Sequence, residues 1–186
     1  MTNAYFDQIS QYRDVESTNY FRILVDSGLS EREALAILQA RSRDNSRTPM
    51  QWDETAMAGF TAGKPWIGLP ARRENISAQA EASDETSILS YYKRLIRLRK
   101  QEKVISDGDI RFILPGENGV IAYERALDGR KMTVYCNFTE KPREVAFDSG
   151  AFMMGSYETP PHAEKGRLFL RPYEGCIFTD VVKDNA

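Results

Sequence analysis

Near Val104 the spacing of apolar residues changes from helical to alternating, and this switch limits the possible folds more than any other feature of the chain. Upstream, Tyr20, Phe21, Ile23, Leu24 and Val25 fall in a helix-length run over 15–27, stopped by Gly28, a residue suited to a left-handed helix end. Ser30-Glu31-Arg32-Glu33 reads as a capping box, in which the Ser and Glu side chains each satisfy a free backbone N–H. It opens a second helix through Ala34, Leu35, Ile37 and Leu38. A third helix is predicted over 85–99, with Ile88, Tyr91, Tyr92, Leu95 and Leu98 along one face. Its basic face, Lys93, Arg94, Arg97, Arg99 and Lys100, suits either an anion or a solvated surface with cations near a helix C-terminus.

Downstream, the segments 110–114, 120–127, 132–138, 144–147, 168–171 and 176–179 are short strand candidates. Met132, Val134, Cys136 and Phe138 alternate with Thr133, Tyr135 and Asn137, the period of a half-buried strand. Asp128-Gly129 between two such runs is a hairpin signal. The expectation is an α+β chain: a helical part over 1–104, then an antiparallel sheet or sandwich over 105–186.

Between the helices lies Ser42-Arg43-Asp44-Asn45-Ser46-Arg47-Thr48-Pro49-Met50-Gln51-Trp52, where no helix or strand period operates. Loops on a rigid scaffold often carry binding residues, and Arg offers a planar fork of donors. The stretch reads either as a polar, substrate-facing loop or as a structural loop pinned by an Arg–Asp pair and a Trp. An irregular excursion over 53–83 follows, punctuated by Gly and Pro; its Phe60, Pro65 and Trp66 argue for order.

Net charge of −2 gives no electrostatic reason to expect nucleic acid or an anionic membrane. No apolar run is long enough to span a bilayer. Met1-Thr2-Asn3-Ala4-Tyr5-Phe6-Asp7 lacks the basic start and apolar stretch of a secretory signal, so a cytoplasmic chain is expected. Cys136 and Cys176 lack CxxC spacing and read as buried, reduced thiols. His162, the only histidine, follows Pro160-Pro161 and reads as an exposed loop residue, which leaves no His-rich zinc site and no Ser-His-Asp triad. Asn137-Phe138-Thr139 matches a glycosylation sequon that carries little meaning without a signal. There is no nucleotide loop and no metal-ligand cluster, so neither cofactor nor metal is expected.

Residues 42–52, followed by Ala58-Gly59-Phe60-Thr61-Ala62-Gly63-Lys64-Pro65-Trp66, resemble the signature of α-glucosidases of the α-amylase superfamily. That group includes oligo-1,6-glucosidases, trehalose-6-phosphate hydrolases and sucrose isomerases. Tyr12-Arg13-Asp14-Val15-Glu16-Ser17, Tyr91-Tyr92-Lys93-Arg94-Leu95-Ile96-Arg97-Leu98-Arg99-Lys100 and Leu170-Arg171-Pro172-Tyr173-Glu174 fall in the family's order, so the likeness covers nearly the whole chain. The segments DVES, SRDNSRTP, FTAG and PWIGL are most similar to trehalose-6-phosphate hydrolases.

The resemblance implies an enzyme with a (β/α)8 barrel, an inserted subdomain and a C-terminal antiparallel β domain. A complete barrel takes about 250 residues, more than the 186 present. The implied fold is therefore the last helices and long loop of a truncated barrel (1–104, with a substrate-pocket loop over 42–66), then the C-terminal β domain (105–186). Met1-Thr2-Asn3 matches an internal Met-Thr-Asn of full-length members, which implies an internal methionine.

Retaining glycosidases use two carboxyl groups about 5 Å apart. In the family the nucleophile Asp, the acid Glu and a third Asp lie on earlier barrel strands, and their motifs do not occur here. The resemblance thus implies no catalytic residue in this chain, and no activity from the chain alone. The implied parent is a retaining glycoside hydrolase acting on α-glucosidic bonds, with trehalose 6-phosphate cleaved to glucose and glucose 6-phosphate. Alternatives are an oligo-1,6-glucosidase (isomaltase-type) fragment and a non-catalytic carbohydrate-binding or interaction module. The implied partners are a glucoside or phosphorylated disaccharide and the N-terminal barrel portion.

By the same resemblance, Arg43 lies beside the pocket for the non-reducing glucose, where its family counterpart and an early-loop Asp grip a sugar hydroxyl. Arg47 is the second substrate-binding Arg, with a salt bridge inside the loop as its alternative. Asp44 and Asn45 fix the loop backbone. Trp52, Phe60 and Trp66 either stack on sugar or pack the loop onto the barrel. Departures from the family pattern are Met57, Pro70-Ala71-Arg72-Arg73-Glu74-Asn75 and Gly155-Ser156-Tyr157; they bear on fine specificity.

Overall fold

The computed structural model describes residues 2–71 and 76–181; the departure at Arg72-Arg73-Glu74-Asn75 lies outside them. The chain forms two compact units, Met1–Tyr92 and Lys93–Ala186. The division falls inside a helix, ahead of the 104/105 change of character.

In the first unit, α1 (Val15–Asp26) is capped by Asp14, whose Oδ2 accepts from Ser17 N at 3.2 Å. It ends at Ser27, and Gly28 turns the chain with φ 98°. α2 (Glu31–Arg41) opens on the expected box: Glu33 N donates to Ser30 Oγ and Ser30 N donates to Glu33 Oε2. These helices bury only part of their apolar residues. Phe21, Ala34 and Leu38 join Ala4, Phe6, Tyr12 and Ile67 in one core, where Phe6 meets Tyr12 edge-on at 5.3 Å. Tyr20 and Ile23 stay exposed.

α3 (Ala78–Ser83) lies within the stretch read as irregular, capped by Ser77, whose Oγ accepts from Ala80 N. Six residues are too few for a helical period to show. α4 (Ile88–Gln101) starts later than predicted, because Asp84 and Ser87 first make a turn: Asp84 Oδ1 accepts from Thr86 N, and Ser87 Oγ from Ser90 N. Its predicted apolar face divides: Tyr91, Leu95 and Leu98 are half-buried, whereas Ile88 and Tyr92 are exposed.

The second unit takes in the end of α4 and then α5 (Lys103–Asp107), a helix the sequence reading did not include. Eight strands follow: β1 (Asp109–Phe112), β2 (Val120–Leu127), β3 (Arg130–Asn137), β4 (Arg143–Ala146), β5 (Ala151–Gly155), β6 (His162–Glu164), β7 (Arg167–Leu170) and β8 (Gly175–Val181). They form a five-stranded antiparallel sheet ordered β1-β2-β3-β8-β5 and a three-stranded one ordered β4-β7-β6. Asp128 and Gly129 both take positive φ, as a two-residue β2–β3 hairpin requires. Val120, Ala122, Tyr135, Cys176 and Phe178 of the larger sheet meet Val145, Leu168 and Leu170 of the smaller in one core.

The alternation in β3 is real, but Tyr135, not the apolar set, faces the core between the sheets. Met132 lies on the opposite face, paired with Arg125 and nearly fully buried. That face carries α5, held by Arg125 Nε donating to Val104 O at 3.0 Å and Nη2 to Gly108 O at 2.7 Å. The strand is covered on both faces, so period alone could not tell inside from outside.

Both cysteines are free thiols, Cys176 buried and Cys136 half-buried. Burial pushes the Cys176 thiol up to about 12 and raises Cys136, which keeps both protonated. His162 is exposed as expected but begins β6 and stacks against Phe169, rather than sitting in a loop. Asn137 is buried and donates both amide hydrogens, to Lys141 O and Arg171 O, so the sequon nitrogen is fully used.

Candidate functional site

The loop after α2 is organised by its buried polar residues. Ser42 ends α2, and its Oγ then accepts from Asp44 N at 3.1 Å, which starts a 3-10 turn over Arg43–Ser46. That turn was invisible to periodicity because it is four residues long. Asp44 is fully buried; its Oδ2 accepts from the backbone N–H groups of Arg13 at 2.7 Å and Asp14 at 3.0 Å. One carboxylate therefore fastens the loop to the start of α1. Asn45 does the same toward the N-terminal segment: Oδ1 accepts from Ala4 N at 2.9 Å, and Nδ2 donates to Gln39 O at 3.0 Å. Both residues fix backbone, as expected for short polar side chains in turns.

Asp14 belongs to the same network, and the sequence reading gave it no role in the site. Its Oδ2 accepts from Ser17 Oγ at 2.7 Å, and Ser17 Oγ lies 2.8 Å from Ser42 Oγ. Burial alone would raise the Asp14 carboxyl; the Ser17 hydrogen bonds, Arg43 and Arg47 outweigh it and hold its pKa below the usual value. The signal available was an Asp directly before a helical run, the mark of an N-cap.

Among the described depressions, Arg43 and Arg47 line different ones. Arg43 is exposed, and among the described residues it makes no ion pair or hydrogen bond through its side chain. It lines a groove of about 510 Å³ between α1 and α2, with Asp14, Ser17, Tyr20, Ile23 and Ser42. Arg47 lies 3.7 Å from Asp44 Oδ1, the salt bridge inside the loop that was its alternative reading. It lines a second depression of about 400 Å³ with Thr48, Phe60, Pro65 and Trp66. Trp66, Trp52 and Phe60 are all about half exposed or more.

Tyr12 Oη and, within the loop, Thr48 Oγ1 and both side-chain polar atoms of Gln51 are buried without a hydrogen-bond partner among the described residues. Folded proteins rarely leave such groups unpaired. Burial, with the Asp44 carboxylate, pushes the Tyr12 hydroxyl up to about 12, so it remains a donor. Among the described residues no group of three or more His, Cys, Asp or Glu side chains is placed to hold a metal ion. No helix there is long and apolar enough to cross a membrane.

Residues 6–108 match the family model described as alpha amylase, catalytic domain. The chain is 39% identical over 180 residues to the trehalose-6-phosphate hydrolase of Escherichia coli, covering 94% of this chain and 32% of that protein. It is 34% identical over 184 residues to the oligo-1,6-glucosidase of Halalkalibacterium halodurans, covering 96% of this chain and 33% of that protein. The crystal structure of Bacillus licheniformis trehalose-6-phosphate hydrolase superposes with a TM-score of 0.83 at 38% identity, over 96% of this chain and 34% of that one. The chain spans about a third of the length of the curated relatives it matches.

Proposed function

The chain belongs to the α-amylase family, and on that premise we propose that it is part of a retaining α-glucosidase that cleaves trehalose 6-phosphate to glucose and glucose 6-phosphate. Residues 1–104 supply the last helices and the pocket loop of the barrel, and 105–186 form the C-terminal β domain. Arg43 carries this reading. Its guanidinium is exposed on a groove and unpaired among the described residues, the state of a donor fork kept for a sugar hydroxyl. Arg47, tied to Asp44, shapes the loop and can reach sugar only as a secondary contact.

Chemistry is assigned to residues outside these 186. Retention needs a nucleophilic carboxylate and an acid/base carboxyl about 5 Å apart. The buried carboxylates beside Arg43, Asp14 and Asp44, are both committed to backbone N–H groups at the start of α1. Neither is placed to attack or protonate a glycosidic bond. The choice of trehalose 6-phosphate rests on identities of 38–39% to enzymes of that name, against 34% for the oligo-1,6-glucosidase. Because the oligo-1,6-glucosidase match is equally long, an isomaltase-type bond is the second reading.

Purified chain assayed with p-nitrophenyl α-glucoside and trehalose 6-phosphate should show no turnover; clear turnover overturns the assignment. Supplying the rest of the family's polypeptide should restore hydrolysis of trehalose 6-phosphate over isomaltose. In that assembled enzyme Arg43→Ala should lower kcat/KM about 10- to 100-fold, the loss of a charged hydrogen bond.

A further inference from the structure

The core between the two sheets does not use the whole inner face of the larger sheet. Along that face, register pairs Ala122 with Tyr135 and Tyr135 with Cys176, all buried in the core. The next row toward the β2–β3 turn is Arg111, Glu124, Thr133 and Phe178, and the row beyond it places Lys131 beside Asp180. The face thus turns polar where the three-stranded sheet no longer supplies apolar partners. A depression of about 270 Å³ opens there, lined by Arg111, Glu124, Lys131, Thr133, Tyr135 and Asp148 together with apolar residues such as Ile113 and Leu114.

We propose that this depression is a binding site for a neutral polyhydroxyl ligand of about one sugar ring, separate from the groove beside Arg43. Two observations carry this. The first is charge balance. Glu124 accepts from Arg111 and from Lys131 at 3.2 Å, and Lys131 also lies 3.7 Å from Asp180. Burial would raise the Glu124 carboxyl, but its hydrogen bonds to Arg111 and Lys131 outweigh this and keep it ionised. The lining holds two cations, Arg111 and Lys131, and two carboxylates, Glu124 and Asp148, so it does not select an anion or a cation; it offers fixed donors and acceptors.

The second is a pair of hydroxyls. Thr133 and Tyr135 are each 4% exposed, and among the described residues neither side-chain hydroxyl has a hydrogen-bond partner. The Tyr135 ring is held in the core against Phe147 and Phe178, while its hydroxyl feels the carboxylates of Asp148, Glu124 and Asp180. Burial and those carboxylates push it up to about 12, so it stays a donor. Both residues line the depression, and neither hydroxyl oxygen is among those sealed from solvent, so each is open there to a ligand or water.

Sugar hydroxyls each donate and accept, which matches a lining of carboxylates, a guanidinium, an ammonium and two hydroxyls. The volume lies just below the range of ligand sites, which starts near roughly 300 Å³. The inference goes beyond the hydrolase reading and does not depend on it.

The test is titration of the full chain with glucose, followed by amide chemical shifts. Saturating shifts in the millimolar range are expected at residues lining this depression, around Thr133, Tyr135 and Asp148. Thr133→Val and Tyr135→Phe, which keep shape and packing, should each weaken binding about three- to tenfold, the loss of one hydrogen bond. Arg43→Ala should leave these shifts unchanged. Three results overturn the site: no saturable shifts with the wild-type chain, shifts confined to the α1–α2 groove, or equal response to inorganic phosphate. The wild-type shift map decides the matter even if a variant fails to fold.

Discussion

Asp14 caps α1 with a carboxylate that also receives the field of Arg43 and Arg47. Its folded pKa is depressed, so its charge contributes stability that is present above its unfolded pKa, near 3.9, and is lost as pH falls through the lower folded value. Asn caps a helix about as well as Asp, so Asp14→Asn removes the charge and keeps the acceptor. We expect the variant to be less stable by roughly 1 kcal/mol at pH 7, the value of a favourable charge at a helix N-terminus. The gap should be smaller at pH 3. Denaturant unfolding at the two pH values checks this, and a gap independent of pH would refute it. At this scale the sequence was informative about type and silent about partners. Asp44 and Asn45 read as backbone-fixing residues from their chemistry, and they are. That Asp44 fixes Arg13 and Asp14, some thirty residues away, depends on packing that no local pattern carries.

The loop over 53–66 is an element without regular structure, held by a chain of small contacts. Asp53 Oδ1 accepts from Thr55 N at 2.9 Å, Gly59 N donates to Thr55 Oγ1 at 3.0 Å, and Trp52 N donates to Ala58 O at 2.8 Å. Gly59 has φ +62°, and a Cβ there would sit 2.6 Å from Asp53 Oδ2, the carboxylate that holds Thr55. Gly59→Ala should therefore loosen the loop at a cost above about 1 kcal/mol, since strain and clash add. Limited proteolysis should cut the variant within 53–66 faster than the parent chain; equal rates would show that the loop tolerates a side chain. The regular elements divide by how much pattern each contains. β2 lies where its apolar run put it, and the Asp128-Gly129 turn sets its pairing with β3. β5 and β6 were missed: one reads Ala-Phe-Met-Met-Gly, without a β-branched residue, and the other has three residues. Their strand state comes from neighbours β8 and β7, not from their own sequence.

Across the whole molecule the two units differ in how they bury apolar surface. The β unit closes its core between two sheets, and Leu168, Leu170, Cys176 and Val145 are almost fully buried there. The helical unit has a smaller core and leaves Val15, Ile23, Trp66 and Ile88 each more than half exposed. Burial contributes roughly 25 cal/mol per Å² of apolar surface, so exposed side chains of this size add little to the stability of the helices that carry them. Under the proposed reading, the rest of the family's barrel would cover that surface. For the chain by itself the consequence is unequal stability, since parts with few buried contacts open locally at lower free energy. Hydrogen exchange followed by mass spectrometry should find amides of α1 and α2 exchanging well before those of β2, β3 and β8. Dye binding to exposed apolar surface should track the same helices, and both signals should fall when the missing polypeptide is added. Uniform protection across the two units would mean that the helices gain stability from a source other than their own core, and the account of a helical unit completed by further chain would then fail.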